Sequence, residues 1–142
     1  MQANPYLLFN GNCEAAFKFY EATLGAKPRL LMRYGEAPKQ PGAADCEMPA
    51  GFNDKILHAR IALGDTVVMA SDCPPGRYEK PQGISMTLSF DKPAEAERIF
   101  HALAEGGTVQ MPIAKTFFAE RFGMVADRFG IPWMISCEQA AQ

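Results

Sequence analysis

Apolar and polar positions change period several times along the chain, and each change marks an element. Residues 5–10 (PYLLFN) form a short apolar run that reads as a strand, ended by Gly11-Asn12. Ala15, Ala16, Phe17, Phe19, Tyr20 and Leu24 then recur with helical spacing. Asn12 suits the N-cap of that helix, Glu14 its first turn and Gly25 its end. Residues 27–34 (KPRLLMRY) predict a second strand. Residues 35–54 hold several Pro and Gly residues and no period, which predicts a long loop of the kind that serves as a lid or binding loop.

The most informative pattern is 58–72 (HARIALGDTVVMASD). It reads as two strands joined at Gly64-Asp65. Pairing outward from that turn sets Leu63 against Thr66, Arg60 against Met69 and His58 against Ser71. One face then carries His58, Arg60, Ala62, Val67, Met69 and Ser71, a mixed surface suited to a wet pocket. The other carries Ala59, Ile61, Leu63, Thr66, Val68 and Ala70, small and apolar as a helix-covered sheet requires.

After a linker the pattern begins again. Residues 83–91 (GISMTLSFD) alternate, with Ser85, Thr87 and Ser89 on one face and Ile84, Met86, Leu88 and Phe90 on the other. Asp91 is placed to cap a helix that Pro93 opens. Ala94, Ala96, Ile99, Phe100, Leu103 and Ala104 give that helix its apolar face, and Gly106-Gly107 stops it. A strand at 108–111, a loop at 112–121 and a hairpin of 122–126 with 131–137 complete the half. The order strand, helix, three strands therefore occurs twice, a repeat of pattern rather than of residue identity. The fold class is α+β: one domain, 1–142, of two βαβββ modules, 5–73 and 83–138. Their sheets are expected to form a curved mixed cup with the helices on the convex side.

Composition narrows the function classes. The chain has 142 residues, 48% of them hydrophobic, and a net charge of −2, enough apolar material for a globular core. Its 14 Lys and Arg are scattered, so no basic patch suggests nucleic acid. No apolar run reaches membrane-spanning length, and the start MQANPYLLFNGNCE does not read as a leader. The expectation is a soluble cytoplasmic protein with no membrane or nucleic-acid partner. Cys13, Cys46, Cys73 and Cys137 form no C-x-x-C pair and read as reduced thiols. Cys13 starts a helix, where the dipole favours a thiolate, but a small buried residue is the favoured reading.

PYLLFNGNCEAAFKFYEATLGA at 5–26, LHARIALGDTVVMASDCPPG at 57–76 and KTFFAERFGMVADRFGIPWMIS at 115–136 carry a resemblance over nearly the whole chain. The chain resembles the PhnB-like branch of the vicinal oxygen chelate superfamily, which includes glyoxalase I, extradiol dioxygenases and fosfomycin and bleomycin resistance proteins. Some profiles of this branch carry a 3-demethylubiquinone methyltransferase label. The sequence has no glycine-rich strand–turn–helix suited to S-adenosylmethionine. The resemblance implies a homodimer. It also implies metal-ligand positions on the first and last strands of each module, which by strand–helix spacing fall near Pro5 and at Met69, Ser85 and Met134. None of these is His, Glu or Asp, and thioethers are soft ligands. The nearest carboxylates, Asp72 and Asp127, lie at strand ends. No metal ligand is therefore assigned and no cofactor expected, although a divalent metal stays open.

The candidate pocket residues follow from the faces. His58 is a candidate acid or base, with Asp72 a candidate to orient it, and Arg60 is a candidate carboxylate or phosphate binder. Both also read as solvated groups on an open sheet. Met69 and Met134 would form a soft floor. Ser71, Ser85 and Thr87 would supply hydroxyls. Lys115, Phe117, Phe118 and Arg121 border the cavity in the resembling proteins, as pocket walls and an anion contact, or else as core and interface residues. His101 falls on the second helix and Trp133 in the core. Two functions stay open: binding of a small apolar or anionic molecule without turnover, and catalysis on a small anionic substrate with His58 as acid or base.

Overall fold

The computed structural model describes residues 1–37 and 51–138. The chain divides into two compact units, 1–78 and 79–142. The first contains β1 (Tyr6–Phe9), α1 (Cys13–Leu24), β2 (Lys27–Arg33), two 3-10 turns at Tyr34–Glu36 and Phe52–Asp54, β3 (Ile56–Leu63) and β4 (Thr66–Asp72). Its sheet has the order β1-β4-β3-β2, with β1 parallel to β4 and the other neighbours antiparallel. The second contains β5 (Met86–Phe90), α2 (Pro93–Ala104), β6 (Thr108–Ala114), β7 (Ala119–Ala126) and β8 (Pro132–Glu138), in the order β5-β8-β7-β6 with the same strand senses.

The β3–β4 hairpin pairs as its alternation requires, from Leu63 with Thr66 through Arg60 with Met69 to Ala59 with Ala70. Gly64 takes a φ of 58° at the turn, where a side chain would be strained. Ala59, Ile61, Val68 and Ala70 are buried, as are Cys13, Ala16, Phe17 and Tyr20 on the facing stripe of α1. In the second unit Ala96, Ile99, Phe100 and Leu103 of α2 are buried, as are Val125, Trp133, Ile135 and Cys137. Trp133 is thus core, as its parity indicated. Gly123 permits close approach of helix and sheet: a Cβ there would lie 2.7 Å from the Phe100 ring and 2.9 Å from the Ile113 Cα.

Three local expectations differ from the structure. Asn12 occupies the N-cap position but makes no side-chain cap bond, and its Oδ1 is buried without a partner. The N–H of Cys13 donates instead to Asp72 at the far end of β4. Asp91 does not cap α2, whose N-cap is Lys92. The loop expected over 112–121 shrinks to four residues. Pro112, which reads as a break, is carried within edge strand β6 because the ladder shifts register on both sides of Met111. A turn in which the Thr116 hydroxyl accepts from the Ala119 N–H then starts β7 early.

Candidate functional site

Within the first unit α1 packs on one face of the sheet, no described helix of the unit packs on the other, and that other face carries the chemistry. Across it, register aligns Tyr6 of β1, Met69 of β4, Arg60 of β3 and Leu30 of β2. Tyr6 and Arg60 are exposed, and His58 and Met69 half-buried. His58 Nδ1 lies 3.1 Å from the Tyr6 hydroxyl, and the rings stack with centroids 5.7 Å apart. On the other side of the ring, Arg60 Nε donates to His58 Nε2 at 3.0 Å. Partial burial first, and then the Arg60 charge, push the His58 pKa below its ordinary 6.5. Both effects favour the neutral imidazole, which is bonded at both nitrogens.

Tyr6 is the member of this cluster that sequence reasoning missed. The alternation of PYLLFN puts Tyr6 and Leu8 on one face. Their position beside Met69 and Ser71 depends on parallel pairing of β1 with β4, which no local pattern reports. Ser71, half-buried, lies on the same face opposite Leu8.

Asp72 does not orient His58. Its parity turns it to the helix side, where it is 1% exposed and both oxygens accept N–H groups, Oδ1 from Cys13 and Oδ2 from Ile56. Asp127 is also buried: Oδ1 accepts from Phe129 N and Ile131 N, and Oδ2 from the Trp133 indole. Both carboxylates hold the frame. The Cys13 thiol is pushed strongly upward by burial, then by Asp72 and Glu14, which opposes a nucleophilic role. Cys73 and Cys137 are free and buried, and Cys46 lies outside the described residues.

In the second unit the corresponding row is Thr87, Met134, Met124 and Met111. Thr87 and Ser89 are exposed on that face, while Ser85 precedes the strand. Arg121, expected in a loop, is in β7. Its Nε donates to Glu97 of α2 at 2.7 Å, and its Nη1 lies 3.5 Å from a Glu120 oxygen. Phe117 is 93% exposed and meets Phe118 edge-on, and Phe118 meets Phe122 in turn. Lys115 lies 3.9 Å from Glu120. Arg121, Phe117 and Lys115 are thus not gathered with the Tyr6–His58–Arg60 cluster within one unit. His101 is exposed on α2.

A family model described as 3-demethylubiquinone-9 3-methyltransferase matches residues 1–136. The chain belongs to this PhnB-like family. Protein YjdN of Escherichia coli (strain K12) is 37% identical over 139 residues, 96% of this chain and 95% of that protein. The crystal structure of protein PA1353 from Pseudomonas aeruginosa is similar at 48% identity and a TM-score of 0.86, over 99% of each chain. A Bacillus cereus structure described as a putative 3-demethylubiquinone-9 3-methyltransferase, PhnB protein, matches at 22% identity and a TM-score of 0.78, over 96% of this chain and 99% of that one. A glyoxylase/bleomycin resistance protein/dioxygenase domain from Frankia sp. EAN1pec shares the fold at 12% identity and a TM-score of 0.65, over 98% of each chain. The fold is therefore glyoxalase-like.

The resemblance implies divalent-metal ligands on the first and last strands of each module. Two of the four positions implied by the resemblance, Pro5 and Ser85, precede β1 and β5, and the residues in register with Met69 and Met134 are Tyr6 and Thr87. Among the described residues no three His, Cys, Asp or Glu lie together as a metal site requires. The two thioethers are soft donors, and none of these four positions carries a carboxylate or an imidazole.

Proposed function

We propose that the protein binds a small molecule on the uncovered face of its first sheet, at Tyr6, His58, Arg60, Met69 and Ser71. The hydrogen-bonded run Tyr6–His58–Arg60 carries this reading. It is a set of oriented polar groups beside an adaptable thioether, on a face that no described helix of that unit packs against. Methyl transfer is not proposed, because both sheets are four-stranded and mixed, without the doubly wound parallel sheet of the usual methyltransferases. The working form is a homodimer, as the family resemblance implies.

A second reading is acid–base catalysis through His58 on a small anionic substrate, favoured by the phenol placed against Nδ1. Substitution His58→Ala separates the two. A catalysed rate would fall by about 10²–10⁴-fold, whereas a binder would change affinity without losing turnover. Unchanged turnover in the variant overturns His58 as the catalyst. Native mass spectrometry of the untagged protein against its denatured mass tests the binding reading directly. A metal-free protein with an organic mass supports it, and one metal per chain shifts the reading to metal-assisted chemistry.

A further inference from the structure

The Tyr6–His58–Arg60 run has a fixed polarity. Arginine keeps its proton, so Arg60 Nε can only donate, and His58 Nε2 must hold a lone pair. A neutral imidazole with Nε2 unprotonated carries its hydrogen on Nδ1. Nδ1–H then donates across 3.1 Å to the Tyr6 oxygen. That oxygen accepts, so the phenolic hydrogen points away from His58. No described residue takes it, and Tyr6 is 45% exposed. The guanidinium charge polarises each bond toward Tyr6 and makes its hydroxyl a stronger donor.

Arg60 has spent Nε and keeps its terminal N–H fork. Among the described residues it has no ion-pair partner, and the nearby Glu14 is held by Arg33. Both ends of the run thus offer donors, one of them fully charged, on a single face with Met69 between them in the register.

We infer that Tyr6 is the ligand-contacting residue of this site, held as a donor by His58 and Arg60, and that it takes a small organic oxyanion, a carboxylate or a phosphonate. The inference rests on the binding reading above and goes beyond it in naming the contact and the ligand class.

Long-range proton–nitrogen NMR on protein labelled with ¹⁵N-histidine reads the tautomer. The chain has two histidines, and His101→Gln assigns the signals. The Nδ1–H form of His58 is expected, and the Nε2–H form overturns the inference whatever binds. Titration with butanoate, methylphosphonate and neutral butanamide then reads the ligand class from shifts of the His58 ring. An oxyanion should bind in preference to the amide, and the preferred one identifies the source. Tyr6→Phe should weaken that binding about tenfold, as loss of a hydrogen bond to a charged group does. Equal binding of amide and oxyanion, binding undiminished in Tyr6→Phe, or no oxyanion binding overturns the inference. A neutral co-purified compound on this face would overturn the ligand class while leaving the binding reading intact.

Discussion

Asp72 Oδ1 accepts the backbone N–H of Cys13 at 2.9 Å, across 59 positions of sequence. The other oxygen accepts the N–H of Ile56 at 2.8 Å, and the backbone carbonyl of Asp72 accepts from the Tyr34 hydroxyl. The end of β4 thereby fastens the start of α1 and the start of β3. A negative group at the first turn of α1 also complements the helix dipole. Asp72→Asn turns one acceptor into a donor facing an N–H. It should destabilise the protein by about 1–3 kcal/mol, read by urea unfolding. A variant as stable as the parent would remove Asp72 from this role.

Gly123 has a different sensitivity. Gly123→Ala places its methyl against the Phe100 ring and the backbone of Ile113. Helix α2 must then shift outward, at a cost of about 1–3 kcal/mol. Pairing the change with Phe100→Leu should recover part of the loss. Additive losses in the double variant would show that the ring is not the obstacle.

Stability should fall in two stages on acidification. The pKa of His58 is lowered from 6.5 in the folded chain, so the unfolded chain binds its proton first. Stability held above 6.5 is lost as pH falls toward the lowered value. Glu14 is lowered from 4.5, chiefly by its bond to Arg33, so its contribution is present above 4.5 and lost below it. His58→Gln should flatten the upper stage and leave the lower one, as followed by unfolding midpoints across pH. Persistence of the upper stage in the variant would assign it elsewhere.

Arg121 Nε donates to Glu97 at 2.7 Å. Arg121→Gln should leave ligand affinity unchanged and lower stability only slightly, as loss of a partly exposed pair does. Affinity lost on that substitution, with stability kept, would place Arg121 in the site after all.

The hairpin at Gly64 was legible because a period of two and a turn residue agree on one register. Trp133 was legible for the same reason, since parity alone sends it inward. Tyr6 was not. Its meeting with His58 requires β1 to lie parallel to β4, a pairing made across the whole first unit. The role of Asp72 is not legible, because parity puts it on the face opposite His58 and its partners are backbone groups that carry no side-chain signature. Arg121 reads as loop because Pro112 looks like a strand end, whereas an edge strand tolerates it.

Three thioethers, Met134, Met124 and Met111, stand in one row across the second sheet, with Met111 44% exposed. Peroxide reaching that row converts each sulfur to a sulfoxide, a dipolar and chiral group in place of a yielding apolar one. The same strand positions in the first unit hold Met69, Arg60 and Leu30, with a single sulfur among them. With Met32 opposite His58, the first face holds two sulfurs against three in that row of the second, so oxidative damage would fall more heavily on the second half of a repeated architecture.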